Sequence, residues 1–288
     1  MMITLAPLVV VAFSASSALS AAPSTSSRPL LQSELHLLSE QRFVSIPRWL
    51  SDAQIDGLQA DAIACGRSIG ATECGVGREG RVNERVRLSR ECSFYPPPPN
   101  AAGVMAERAA LIEVVRKLRG ELQASSTLDL PYLEPFETEL AYLLYPVGGH
   151  YKRHLDVPHR EAGWKLQGRA SSDGGSFCGG RTRRVVSFIL YLNRAWPDAN
   201  GGKLRVYEAH DVVASRRDLE ADDLLLDSLP AHAEDITPEG GTLVLLMSSD
   251  IEHMVRETHG ERQCIVGWFN EYREERVDDC DTFGTRTR

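Results

Sequence analysis

From Pro135 onward the chain reads as strand after strand. Short apolar runs recur at Glu139–Tyr145, Val185–Leu192, Lys203–Tyr207, Thr242–Met247 and Gln263–Asn270. They are too short for packed helices and rich in branched and aromatic residues, which argues for buried strands. Turn signals separate them: Gly148-Gly149, Gly201-Gly202, Pro238-Glu239-Gly240-Gly241 and His259-Gly260. Upstream, Phe43 to Pro47 predicts one short strand, and Ser51-Asp52 caps a helix running to about Cys65. A long helix is expected from Ala101 to about Leu122. Its Val104, Ala109, Leu111, Ile112, Val115 and Leu118 recur at helical spacing, as in a support helix covering a sheet. Between the helices, residues 66–93 are rich in Gly, Arg and Glu, and Val82 to Leu88 alternates apolar and charged positions as a flexible hairpin would. Tyr95 and the four prolines after it form a stiff stop. The Gly/Ser-rich stretch Val157 to Arg184 reads as a mobile insertion. Many short strands with helices grouped before them predict an α+β, mainly β protein: a double-stranded β-helix (jelly roll) backed by N-terminal helices.

The N-terminus breaks this pattern. Met1 to Ser33 carries one charged residue, Arg28; Ile3 to Phe13 is strongly apolar, and Ser14 to Ala22 is all small residues apart from Leu19. This is the pattern of a secretory signal cleaved near Ser20 to Ala22. It places the mature chain in the secretory pathway, in the endoplasmic reticulum or Golgi or secreted. A plastid or mitochondrial transit peptide is the alternative, because the segment is Ser-rich and acid-free and lacks a basic start. The apolar run is too short to span a bilayer, and no stable membrane span is expected. The expected organisation is a leader at 1–22, a linker at 23–40, a helical support and loop region at 41–135, a jelly-roll core at 136–272 and a tail at 273–288.

Charge narrows the partners. The 288 residues carry a formal net charge of −8, with a pI near 5.6. An acidic chain gives no support to nonspecific nucleic-acid binding, so no nucleic-acid partner is expected. The short basic run Arg181-Thr182-Arg183-Arg184 reads as solvated surface. None of the six cysteines sits in a C-x-x-C pair, which argues against structural zinc. Cys264 is expected to face the core as a small hydrophobe. Cys178 and Cys280 read as loop residues able to pair, although the sequence does not set connectivity.

The candidate chemistry lies at strand ends. His-x-Asp/Glu occurs at His154, His159, His232 and His259, against about one expected by chance. Residues i and i+2 of an extended segment share a face, so His154 and Asp156 point together just after the turn at Tyr145 to Gly149. His159 and His232 lie in polar, breaker-rich stretches and read as exposed loop histidines; His259-Gly260-Glu261 reads as a turn. His253 follows another strand, and Arg262 opens the next one. Two histidines and one carboxylate, His154, Asp156 and His253, suit a metal with one open face, as in non-haem Fe(II) oxygenases.

Several ordered motifs extend this. Tyr145 through Asp156, Val186 through Asn193 with Trp196, Gly201 through Tyr207, and His253 followed by Arg262 and Trp268 resemble the prolyl 4-hydroxylase-type 2-oxoglutarate/Fe(II) dioxygenases. The resemblance runs from residue 40 to 272 and is strongest from Leu140 to Phe269. It implies His154, Asp156 and His253 as catalytic ligands of Fe(2+), and Arg262, Tyr191 and Tyr145 as residues binding the cosubstrate 2-oxoglutarate. It also implies L-ascorbate as a reductant, dioxygen as a co-reactant, and a peptide or protein substrate, Pro-rich in the first instance. The implied reaction releases succinate and CO2 and hydroxylates a C–H bond, with peptidyl proline at C4 as the leading target. Because Asp156 is present, hydroxylation rather than halogenation is implied. The segment Thr72 to Phe94 matches the family's substrate-covering loop. Its Arg78, Arg81, Arg85 and Arg87 read equally as contacts to an acidic or backbone-rich peptide and as solvated charges. Trp268 reads as packing. Hydroxylation of a small molecule or another protein residue is one alternative, and a non-catalytic jelly-roll binding protein is another.

Overall fold

The computed structural model describes residues 27–66, 72–76, 81–95, 105–135, 139–157, 164–167, 180–208 and 233–273. Three helices come early: α1 (Gln32–Gln41), α2 (Asp52–Cys65) and α3 (Met105–Ala124). Strand β1 (Phe43–Ile46) lies between the first two. Five short strands lie between α2 and α3: β2 (Thr72–Glu73), β3 (Gly75–Val76), β4 (Arg81–Val82), β5 (Arg87–Leu88) and β6 (Arg90–Tyr95). After α3 come β7 (Glu139–Tyr145), β8 (His150–His154), β9 (Lys165–Gln167), β10 (Gly180–Tyr191) and β11 (Leu204–Tyr207). The last four are β12 (Ala233–Ile236), β13 (Leu243–Met247), β14 (His253–Val255) and β15 (Arg262–Arg273).

Thirteen of the described strands form two facing sheets, and β3 and β4 pair apart from them, with antiparallel pairing throughout. The major sheet runs β1-β13-β10-β15-β7-β6-β2, with β9 paired to the start of β10, and the minor sheet runs β12-β11-β14-β8-β5. This is the expected double-stranded β-helix. Period-two alternation divides the major sheet's side chains between two cores. Tyr142, Leu190, Leu243, Leu245, Ile265 and Phe269 face the helices, meeting Ile55 and Leu58 of α2 and Leu111, Val115 and Leu118 of α3. Ala141, Leu143, Tyr145, Ile189, Tyr191, Val244, Leu246, Cys264 and Val266 face the minor sheet, meeting Leu204, Val206 and Val255. Both faces are buried, so these strands are apolar almost without interruption.

Ser51 and Gln54 cap α2 reciprocally, the Ser51 hydroxyl accepting from the Gln54 amide. Arg108 of α3 donates from Nε and a terminal nitrogen to the fully buried Asp61 of α2, and the Tyr142 hydroxyl of β7 donates to the same carboxylate at 2.6 Å. This satisfied group ties both helices to the sheet; removing any one partner strands a buried charge or polar group.

Two corners carry the chain between the sheets. Tyr145 to His150 joins β7 to β8, and Val255 to Arg262 joins β14 to β15. They lock together, the Gly148 amide donating to the Thr258 carbonyl at 2.7 Å and the Thr258 amide to the Gly149 carbonyl at 3.0 Å. The first corner needs glycine, since a Cβ on Gly149 would lie 2.6 Å from the Pro146 carbonyl oxygen.

Three expectations are corrected. The segment read as linker, 23–40, holds all but the last residue of α1, whose Leu35 and Leu38 join the helix-side core. The Glu34 carboxylate caps it, accepting from the Leu31 amide and pairing with Arg28. Val82 and Leu88 do not form one hairpin: β4 pairs with β3, whereas β5 crosses to the minor sheet and pairs with β8. The stretch read as a mobile insertion contains β9 and the first residues of β10, which pair with each other. The leader, residues 274–288, Arg78, His159, His232, Cys178 and Cys280 lie outside the described residues.

Candidate metal and cosubstrate site

His154 ends β8 and His253 opens β14, and the two are direct cross-strand partners. Antiparallel pairing brings their imidazoles to 4.3 Å between centroids, and Asp156 completes the group. One ligand atom from each of the three lies within 4.8 Å of the others. The rings are held by backbone: Nδ1 of His154 lies 2.8 Å from the Lys152 carbonyl oxygen, and Nδ1 of His253 lies 3.3 Å from that of Ile251. A carbonyl accepts only, so each Nδ1 keeps its proton and Nε2 is the ring nitrogen left to face a metal. Burial and the neighbouring His253 push the His154 imidazole down to about 3, which keeps it neutral.

Asp156 is held on one oxygen. Its Oδ2 accepts from the Ser187 hydroxyl at 2.5 Å and from the Trp268 indole at 3.0 Å, while Oδ1 lies 3.8 Å from Nε2 of His154. Burial alone would raise this carboxyl; His253, His154, Arg184 and the Ser187 hydrogen bond hold it below the usual carboxylate range. Trp268 therefore does more than pack. Arg184, which pairs with Glu139, lies 3.6 Å over its indole ring.

The register shifts between His253/His154 and Val255/Tyr151, so an irregularity in β8 puts Tyr151 beside His154 despite their odd spacing. Tyr151 stacks on the His154 ring at 3.6 Å, and the Arg87 guanidinium lies 4.6 Å over Tyr151. Simple alternation hides Tyr151. Arg87 hydrogen-bonds Ser89 and makes no ion pair among the described residues; Arg85 is exposed.

The second cluster lies on the inner face of the major sheet. Arg262 is cross-strand partner of Tyr145 and is 1% exposed. Its guanidinium lies 4.8 Å from the Tyr145 ring and 5.0 Å from the Tyr191 ring, and donates to the Tyr191 hydroxyl at 3.4 Å. Among the described residues no carboxylate pairs with Arg262, and its Nε is buried without a partner. Burial pushes the Tyr145 phenol up to about 12, against the pull of Arg87 and Arg262, and pushes Tyr191 up as well. Both stay protonated as donors. Cys264 is buried beside Arg262, as expected for an inward thiol.

The site fits the group the sequence implies. Two imidazoles and one carboxylate form a mixed nitrogen/oxygen donor set for a divalent transition metal. A buried, unpaired guanidinium fits an anionic ligand, since leaving such a charge uncompensated is costly.

Comparison with known proteins agrees. Residues 140–270 match the family model of the 2OG-Fe(II) oxygenase superfamily. A prolyl 4-hydroxylase from Pseudomonas putida has a similar structure, with a TM-score of 0.58 and 22% identity over 84% of this chain and 100% of that one. A prolyl hydroxylase from Trichoplax adhaerens, solved with a peptide fragment of the hypoxia inducible factor oxygen degradation domain, gives 0.60 and 16% over 88% and 91%. HygX from Streptomyces hygroscopicus, solved with nickel, 2-oxoglutarate and hygromycin B, gives 0.51 and 16% over 90% of each chain. Match, fold and site converge: residues 140–270 match the 2OG-Fe(II) oxygenase superfamily and the chain has the fold of the prolyl 4-hydroxylases, which together support a 2-oxoglutarate/Fe(II)-dependent dioxygenase.

Proposed function

We propose that the protein hydroxylates a C–H bond of a peptide substrate, peptidyl proline at C4 foremost, while 2-oxoglutarate is converted to succinate and CO2. The carrying observation is Arg262, a buried cation without a carboxylate partner, inside the barrel that holds the His154, Asp156 and His253 group. Nε2 of each histidine and Oδ1 of Asp156 would hold Fe(II). Activation of dioxygen toward an unactivated C–H bond is the chemistry supplied when the metal and cosubstrate are bound. Arg262 would bind the distal carboxylate of 2-oxoglutarate through its fork, with the Tyr191 and Tyr145 phenols beside it. The apolar inner core of Ile189, Val244, Leu246 and Val266 would keep water from a ligand bound there. L-Ascorbate is the proposed reductant.

A peptide substrate is supported by the fold shared with the Trichoplax enzyme and its bound fragment. Arg87 adds support, as a half-buried cation over the Tyr151 ring that stacks on His154, suited to meet substrate carbonyls or acids. HygX keeps a small-molecule substrate as the second reading. Location in the secretory pathway is proposed from the leader, and the Cys65–Cys92 disulfide agrees with an oxidising compartment. No described helix is long and apolar enough to cross a membrane.

The test is incubation with Fe(II), 2-oxoglutarate and a panel of Pro-rich peptides, measuring succinate and the gain of one oxygen per peptide. His154→Ala, Asp156→Ala and His253→Ala should each abolish succinate release with the fold retained. Near-normal turnover in any one removes that residue from the ligand set. Succinate release with no peptide modified overturns the proline assignment.

A further inference from the structure

Asp156 is the one anionic member of the proposed metal group, and its two oxygens are treated differently. Among the described residues Oδ2 receives two hydrogen bonds and Oδ1 receives none. Behind Oδ2 stands a short chain of hydroxyls: Ser187 Oγ lies 2.8 Å from Ser248 Oγ, and both serines are 2% exposed. The direction of the protons follows from chemistry. A carboxylate accepts only, so the single Ser187 proton goes to Asp156 and the Ser248 hydroxyl donates to Ser187. The chain therefore runs from Ser248 through Ser187 to Asp156, each bond polarising the next. Ser248 is itself placed by backbone. Its amide donates to the Val185 carbonyl at 3.0 Å, and its carbonyl accepts from Val157, the residue after Asp156. One serine thus binds the strand carrying Ser187 and the segment carrying the carboxylate. On the other side the Trp268 indole fills the remaining approach to Oδ2, with Arg184 over its ring.

We propose that Ser187, backed by Ser248 and opposed by Trp268, is a positioning device that reserves Oδ2 for hydrogen bonding, so that Asp156 offers the metal Oδ1 alone. This rests on the metal-site reading above and adds residues outside the three ligands. A carboxylate free on both oxygens can grip a metal with two atoms and fill a coordination position. Held on one oxygen, it leaves that position for cosubstrate or dioxygen. Loss of such partners around a ligand typically weakens metal binding or activity about 10–100-fold.

The experiment uses the full chain stripped of metal and titrated with Co(II), followed by metal affinity and visible absorption, with thermal unfolding measured alongside. Ser187→Ala should weaken Co(II) binding about tenfold or more and shift the visible bands toward a higher coordination number as Oδ2 is released. Ser187→Thr keeps the hydroxyl and should restore both. Ser248→Ala should move both in the same direction by less, and Trp268→Phe, which keeps the ring and removes the donor, should resemble Ser187→Ala. A merely structural role would lower the unfolding temperature and leave the spectrum unchanged. If Ser187→Ala does not fold, Trp268→Phe and Ser248→Ala decide by the same readouts. Wild-type affinity and spectrum in the folded variants overturn the inference while leaving the metal site in place; a wild-type chain that binds no Co(II) overturns both.

Discussion

At the residue scale, the most exacting prediction concerns Arg262. Removing it leaves a bound dicarboxylate with a buried, unpaired charge, a loss on the order of 3–5 kcal/mol. Each 1.4 kcal/mol is about tenfold, so Arg262→Ala should raise the 2-oxoglutarate requirement by roughly two to three decades or more at saturating Fe(II). Arg262→Lys should fall between, keeping the charge without the fork. An unchanged titration for Arg262→Ala would place the carboxylate partner elsewhere. Much of this site was legible before any fold was known, because the proposed ligands sit beside strand ends whose punctuation is plain. Arg262 taken alone would pass for a surface arginine in a turn; it is its place on the inward register of β15, opposite Tyr145, that buries it. Trp268 and Ser187 were not legible as partners of Asp156. Those hydrogen bonds join residues 112 and 31 positions apart, a separation that no local pattern records.

At the element scale, strands were easier to recognise than their limits. Burial on both faces makes β10, β13 and β15 conspicuous in composition while hiding which residues point which way. Helix α1 was missed because it is short and only Leu35 and Leu38 are buried. The irregularity in β8 was missed because a shifted register leaves no compositional mark, yet it is what brings Tyr151 beside His154. The disulfide joins the end of α2 to β6 across 27 residues and so closes the segment that contains β5. Chain-entropy reasoning assigns such a loop about 3.5 kcal/mol of stabilisation. The Cys65→Ser/Cys92→Ser double variant should lose about that much in urea unfolding. An unchanged midpoint with intact slope would show that the bridge contributes nothing.

At the scale of the whole molecule, the secretory location proposed from the N-terminal segment carries its own test. The mature protein should begin near Ala22, and N-terminal sequencing of native material tests it; an intact Met1 or a plastid-resident form would contradict secretion. The two interlocked corners have a consequence of another kind. One corner leads into β8 with His154, and the other runs from β14 with His253 to Arg262 on β15. The bonds joining Gly148, Gly149 and Thr258 fasten them to each other. The pair would act as a fixed calliper, setting the distance from the facing His154 and His253 to Arg262, the proposed partner of the cosubstrate's far carboxylate. A one-residue change in the second corner would turn Arg262 off the inner face, because side chains alternate along the strand. Such an opening would select by length. Oxaloacetate, one carbon shorter, and 2-oxoadipate, one carbon longer, should fail to support substrate hydroxylation where 2-oxoglutarate succeeds, since the first falls short of Arg262 and the second overreaches it.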